Sequence, residues 1–458
     1  MKKKNNNWTT VFLVLLLLAG VSLLLYPSLS DYWNSMHQTR AIASYAETVS
    51  QLDTAQYDEM WKAAQDYNRS LAQRETAFAL TDEQELLVES LKEYADRYFD
   101  DESVRQMYEN HQVSAEAQDA YRDAGFPFMG LPEEVGGIPT DHVTLGLMTE
   151  KLYEFTGAMT PFMTGMLACA DLAEFGTPEQ SAVIMEEYEK SGQSVAALCL
   201  SEPAAGSDNM GMTMTSKKQA DGTYVLNGQK TWVTNGADVP YYIVICKDEE
   251  PARENNKMSL WLVKRETEGV STAHLTKLGQ HTVPFVDVFF DNVVVEESQR
   301  IGEAGAGWLL LMKNFEFERC LVVAQGLGLA QAAQNDAIAY AKERIAFGKP
   351  IITNPRVQGL IEQNEIMLQQ TRHWLYYCLW KLDQGQSINA DIAMLKSWGT
   401  RAHLQIADNA IEVYGGLGYT EEVRVGRIWR DLRGNMLAGG TCEVMDYIAG
   451  RAIPKLYK

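Results

Sequence analysis

Cys199-Leu-Ser-Glu-Pro-Ala-Ala-Gly-Ser-Asp208, followed by Trp232-Val-Thr-Asn-Gly236, is the pair of segments on which the reading of this chain turns. The first is a turn of small residues whose backbone can close on a planar ligand. The second places an indole and a hydroxyl two residues apart, at Trp232 and Thr234, where they can frame that ligand's edge. Alone, Trp-Val-Thr reads as a turn with a buried indole. Two such segments in this order, inside one β-rich region, favour the ligand.

The surroundings support that placement. Between Leu198 and Ile301, runs such as Tyr242-Ile-Val-Ile-Cys and Phe285-Val-Asp-Val-Phe-Phe alternate or cluster β-branched and aromatic residues between turns. This predicts a small antiparallel β domain. From Glu83 to about Ala197 the pattern is helical, with Leu86, Leu87, Leu91 and Tyr94 at helix spacing and Leu131–Gly137 as a loop. Long helices return after Ala304, led by Trp308 to Ala346. The order is α, β, α.

At 458 residues the chain is too long for one compact core. A formal net charge of -21, with no basic patch, argues against a nucleic-acid partner. The six cysteines are scattered without a CxxC pair, as in reduced thiols rather than a disulfide framework. The seven histidines lack i, i+3 or i, i+4 partners, so no metal is expected.

The N-terminus is different in kind. Lys2-Lys3-Lys4 precede an apolar run from Trp8 to Tyr26, closed by Pro27 and long enough to cross ~30 Å of hydrocarbon. The lysines favour an N-terminus inside, which makes this a single-pass membrane anchor. A signal peptide is the rival, but the apolar stretch is long for one and no clean cleavage site follows. Residues 27 to about 77 read as polar amphipathic helix. With the anchor, this segment (residues 1 to about 84) resembles the N-terminus of class C sortases. No Thr-Leu-x-Thr-Cys nucleophile segment follows, so sortase chemistry is not implied, and a join of two unrelated genes near Phe78–Gln84 is expected.

From about Phe78 to Lys458 the chain resembles the acyl-CoA dehydrogenases, on the two opening segments and on Glu412-Val-Tyr-Gly-Gly-Leu-Gly418 continuing to Arg427-Ile-Trp-Arg-Asp431. The resemblance implies an α+β fold: a helical N-terminal domain (78–198), a middle antiparallel β domain (199–302) and a C-terminal four-helix bundle (303–458). These follow one transmembrane helix (1–28) and a sortase-like helical linker (29–77). It implies FAD as cofactor. Leu200 and Ser201 are expected at the polar edge of the flavin, Trp232 against the ring and Thr234 near N5. Gly415 and Gly416 are expected beside the adenosine half of a flavin in a neighbouring subunit. Arg344 and Thr441 are expected on its phosphates, and Ser207 at the mouth where the pantetheine arm enters. One departure is Pro355, where many relatives carry a glutamine; Gln358 lies one turn later.

Many relatives place the catalytic glutamate immediately before a Gly-Thr pair, and the matching residue here is Gly439. In a minority pattern, seen in the isovaleryl-CoA and long-chain branches, the base comes from a Glu-Arg pair on a helix, and this chain has Glu318-Arg319. Leu311, Phe315, Glu318 and Val322 fall on one helix face. A carboxylate on an apolar stripe is costly unless paired or functional, and burial raises its pKa toward that of a base. Glu318 is therefore the expected base, Glu443 the reserve, and Arg319 a substrate-side or structural cation.

The expected function is FAD-dependent acyl-CoA dehydrogenation: α-proton abstraction by Glu318 and β-hydride transfer to flavin N5, giving a trans-2-enoyl-CoA. Electrons are exchanged with an electron-transferring flavoprotein, from a homotetramer. Gly439-Gly-Thr441, Glu318-Arg319 and Ile428-Trp-Arg-Asp431 look closest to the carnitine-pathway branch, which works as a crotonobetainyl-CoA reductase. The rivals are an acyl-CoA oxidase and a membrane-tethered product that has lost flavin. An N-inside anchor would export a region whose substrate and cofactor are cytoplasmic, so orientation, anchor or activity must give way.

Overall fold

A computed structural model describes residues 79–191, 194–251 and 257–457. The expected membrane span and the amphipathic stretch after it lie outside the described residues. Among the described residues no helix is long and apolar enough to cross a membrane.

Six helices come first: α1 Asp82–Tyr98, α2 Asp101–Glu109, α3 Ala115–Asp123, α4 His142–Thr156, α5 Phe162–Phe175 and α6 Pro178–Ser191. Helix α1 starts where it does because Thr81 and Gln84 form a reciprocal capping box, and it buries Leu91, Tyr94 and Ala95. Asp100, Ser114 and Asp141 cap α2, α3 and α4 with side chains that accept first-turn N–H groups.

Eight strands follow: β1 Ala196–Cys199, β2 Thr215–Lys218, β3 Tyr224–Thr234, β4 Tyr241–Asp248, β5 Met258–Lys264, β6 Val270–His274, β7 Phe285–Val295 and β8 Arg300–Ile301. The sheet runs β6-β7-β3-β2-β4-β5-β8, with β1 also on β4. The expectation of a wholly antiparallel sheet is corrected, because β1 and β2 both run parallel to β4. Side-chain alternation has the same period in either direction, so the sequence pattern could not report strand polarity. The sheet encloses one core that includes Leu226, Tyr242, Trp261 and Val288. A second core, with Leu172, Ile184, Ile243 and Leu311, packs its other side against α5, α6 and the start of the next helix.

That helix, α7, spans Gly307–Glu343 and is buried nearly all round from Arg319 to Ala333. It is followed by a short β9–β10 ribbon (Ile345–Ala346 and Lys349–Pro350), then α8 Pro355–Asp383, α9 Asn389–Tyr414, α10 Val425–Asn435 and α11 Cys442–Leu456. Pro355 takes the first position of α8 behind Asn354 as cap, where its missing N–H costs nothing. Gly328 lets α4 close on α7, since a Cβ there would lie 2.2 Å from the Glu150 carbonyl.

Asp431 ties the three regions together. Its buried carboxylate accepts from Tyr108 on α2 and from the backbone N–H of Gln280 in the β6–β7 connection, while it sits on α10 itself. All six cysteines are free and buried.

Candidate active site

Strand β3 slips register against β7 between Lys230 and Val233, and Trp232 at that bulge has φ 59. The left-handed backbone turns the indole out of the core, leaving it 57% exposed, with the Phe285 ring centroid 6.4 Å away. A bulky residue seldom adopts this conformation, and here the register slip of β3 against β7 holds it. The buried-indole alternative is thereby excluded. Thr234 ends the same strand opposite Phe285 and is half-buried.

Facing this strand is the Leu200–Ser201 turn. The Leu200 carbonyl accepts from Lys230 Nζ at 3.0 Å, and the Ser201 carbonyl from the Thr231 N–H at 2.9 Å. With both carbonyls engaged, the N–H groups and the Ser201 hydroxyl are what the turn offers to a ligand. Sequence reading missed what fixes this turn. Lys230 is fully buried and pairs with buried Glu202 at 3.0 Å, and Glu202 also accepts from the Thr213 and Met214 N–H groups. Burial pushes the Glu202 carboxyl up, but the Thr213 N–H and Lys230 outweigh that and hold it below its usual range. A signal existed: β alternation puts Lys230 on the same face as buried Leu226. Ser207 is exposed beyond this turn.

Glu318 lies on α7 between buried Leu311 and Val322, with half-buried Phe315 one turn before it. Burial raises its carboxyl above the ordinary range, and the charges of Arg319 and Lys396 partly offset this. A Cβ added at Gly439 would lie 3.9 Å from Glu318 Oε1. The carboxylate therefore reaches the place where a side chain at position 439 would begin. Arg319 is buried, with Nε on the Gly439 carbonyl at 3.1 Å and its guanidinium 5.6 Å from the centre of the Phe315 ring. The structure thus shows it bracing the Gly439 turn, whereas the sequence left it between substrate and framework. Glu443 is exposed, lies beside Arg401 and is held below the usual carboxylate range; nothing brings it to Glu318.

Two further groups were missed. Asp171 on α5 is half-buried, accepts from Asn314 Nδ2 at 2.7 Å and forms no ion pair among the described residues. Burial, with Glu318 and Glu174 nearby, pushes its carboxyl up to about 7 against the Asn314 bond. Asn314 stands one helical turn before Glu318, so Asp171 faces the same side of α7. Lys396 on α9 is fully buried, and its ammonium donates to the Met436 carbonyl at 3.2 Å and to the Gly440 carbonyl.

The remaining expected residues sit on the later elements, with Thr441 next to the Gly439–Gly440 turn that borders Glu318. Arg344, at the C-terminus of α7, is exposed, and no side-chain partner for it stands among the described residues. Gly415, with φ 63, ends α9, and side chains at Gly415 or Gly416 would meet open space. Phe347 and Tyr419 are 98% and 92% exposed beside them. Thr441 caps α11 by accepting the Val444 N–H. Gln358 is exposed. Among the described residues no cluster of metal-ligating side chains is present.

The donor set of the strand end suits a cofactor with a flat, polar-edged ring: N–H groups and a hydroxyl, with an exposed indole beside them. Models of the N-terminal, middle and C-terminal domains of acyl-CoA dehydrogenase match residues 81–188, 197–293 and 305–453. A probable acyl-CoA dehydrogenase of Escherichia coli K12, YdiO, is 39% identical over 381 residues, covering 83% of this chain and 99% of that protein. The structure of butyryl-CoA dehydrogenase from Megasphaera elsdenii superposes with a TM-score of 0.76 at 26% identity, covering 82% of this chain and 100% of the other. An FAD complex of PigA gives 0.76 at 26% identity, covering 83% and 99%.

Proposed function

Because this chain belongs to the acyl-CoA dehydrogenase family, a flavin-dependent one, we propose that Glu318 removes the α-proton of an acyl-CoA thioester. The observation that carries this is the Glu318 carboxylate on the apolar face of α7, with Oε1 3.9 Å from where the Cβ of a residue at 439 would stand. Burial makes it a stronger base than an exposed glutamate, while Arg319 and Lys396 keep it ionisable. FAD, once bound, supplies the hydride acceptor. Leu200 and Ser201 would hold its polar edge, Trp232 would cover the ring and Thr234 would stand near the reacting end. Ser207 would meet the pantetheine arm at the exposed mouth.

The substrate reading follows from Asp171. A half-buried carboxylate that pairs with no cation among the described residues, held by Asn314 one turn before the base, suits an acyl tail that brings its own positive charge. This favours the carnitine-type branch, running as a crotonobetainyl-CoA reductase, over an oxidase or a straight short-chain dehydrogenase. We further propose a homotetramer that exchanges electrons with an electron-transferring flavoprotein. Exposed Ile345, Phe347 and Tyr419 beside Arg344, Gly415 and Gly416 support a subunit contact at which a neighbour's cofactor is held. Tyr377, Trp380 and Trp398 on α8 and α9 add a second exposed apolar face. Membrane attachment through residues 8–26 also stays a proposal. Fractionation with a C-terminal accessibility tag tests it.

Anaerobic titration of the full chain with butyryl-CoA and γ-butyrobetainyl-CoA, following the visible flavin band, tests the enzyme reading. Bleaching should be tighter with the betaine, and Glu318→Gln should slow it by at least about 1,000-fold while FAD stays bound. A Glu318→Gln protein that still bleaches normally would remove Glu318 as base. A protein that cannot be loaded with FAD would favour the tethered, flavin-less alternative.

A further inference from the structure

Lys396 is among the largest side chains buried without remainder in this protein, and no carboxylate forms an ion pair with it among the described residues. Taking an ammonium out of water costs several kcal/mol, offset here by bonds to the protein rather than by an ion pair. Its partners are two backbone carbonyls, those of Met436 and Gly440, which bracket the tight turn between α10 and α11. Between them lies Gly439, with φ 64, whose own carbonyl is taken by Arg319 and whose Cα side faces Glu318 Oε1. Two cations from two helices thus grip one turn, and that turn forms the wall against the base.

We propose that Lys396 is a positioning residue for catalysis: it holds the Met436–Gly440 turn against Glu318 and supplies the positive charge that keeps Glu318 ionised. This rests on the reading of Glu318 as base. Among the described residues, the charges that act on the Glu318 carboxylate are Arg319 on its own helix, Lys396 on α9 and Asp171 on α5. Of these, Arg319 and Lys396 pull its proton affinity down, and Asp171, when ionised, pushes it up. Around Lys396 stand Arg319, Arg401, Glu443 and Cys442. Burial pushes the Lys396 ammonium down to about 8, so at neutral pH it still carries its charge.

The sign of the effect follows. Removing the charge raises the affinity of Glu318 for its proton, so a larger fraction is protonated at neutral pH and the acid limb of the rate profile moves to higher pH. A group that merely packed the bundle would lower stability and leave that limb in place.

The experiment uses the FAD-loaded full chain and stopped-flow bleaching by butyryl-CoA across pH 5.5–9. Lys396→Met should slow bleaching at pH 7 by about two- to five-fold and move the acid limb up by about half to one pH unit. Lys396→Arg, which keeps the charge, should restore most of the rate and leave the limb near the parent's. Lys396→Gln keeps a donor for one carbonyl without the charge, so it reports on the charge if the methionine protein fails to fold. An unmoved limb in flavin-loaded Lys396→Met or Lys396→Gln overturns the proposal, as does equal slowing in the arginine and methionine proteins. Failure of the parent reading looks different, because Glu318→Gln would then bleach at the parental rate.

Discussion

Two lysines are buried without remainder among the described residues, and they are held in opposite ways. Lys230, in the β domain, has a carboxylate partner, Glu202, which is itself tied down by two backbone N–H groups. Lys396, in the helical C-terminal region, has only carbonyl oxygens. The first arrangement closes a network and builds a rigid turn on which Leu200 and Ser201 sit. The second leaves a net charge inside the protein, next to Glu318. Full pairing serves shape, and incomplete pairing leaves a field to act on a neighbour. His403 extends the series: it is fully buried on α9 with neither ring nitrogen partnered, and burial, with Arg372 nearby, holds it down to about 3.

The sharpest way to break this comparison is to remove each lysine. Lys230→Met strands the Glu202 carboxylate and should cost ~3–5 kcal/mol in urea unfolding, with loss of bound flavin. Lys396→Met removes a charge that has no ionic partner and should cost less than half of that. Equal costs would mean that the pairing difference has no energetic content.

A smaller effect concerns His403. Its folded pKa lies below the unfolded value of 6.5, so the unfolded chain takes up a proton that the folded one refuses. Its contribution is intact above about pH 6.5 and is lost as pH falls toward about 3. Between pH 7 and 5 this should remove about 2 kcal/mol. Replacing His403 by leucine should flatten that part of the stability profile. An unchanged slope would show that the ring is protonated or wetted in the folded state.

The smallest effect tests the flavin side. Trp232→Ala should weaken FAD binding by about ten-fold, roughly 1.4 kcal/mol, with little change in the stability of the apoprotein, because the indole is exposed. Loss of stability without loss of FAD affinity would turn Trp232 back into a framework residue.

The α, β, α order was legible from periodicity, because helix and strand faces must match their cores residue by residue. Glu318 was legible too, as a carboxylate on an apolar stripe. The flavin-side residues were legible only as a motif, since the bulge that turns Trp232 outward depends on how β3 registers with β7. Asp171 and Lys396 carried no local signal. Each matters through a contact with a distant segment: Asp171 with Asn314, 143 residues on, and Lys396 with Gly440, 44 residues on.

By itself, then, the sequence determined which segments are helix and which are strand, where the glycine turns fall, and that one carboxylate, Glu318, lies on an apolar stripe. Tertiary structure alone decided the polarity of β1 and β2 against β4, the outward aim of Trp232, and the field around Glu318. The physical reason is range. Periodicity and capping act over a few residues, whereas desolvation and charge act through space among groups that only the packed chain brings together.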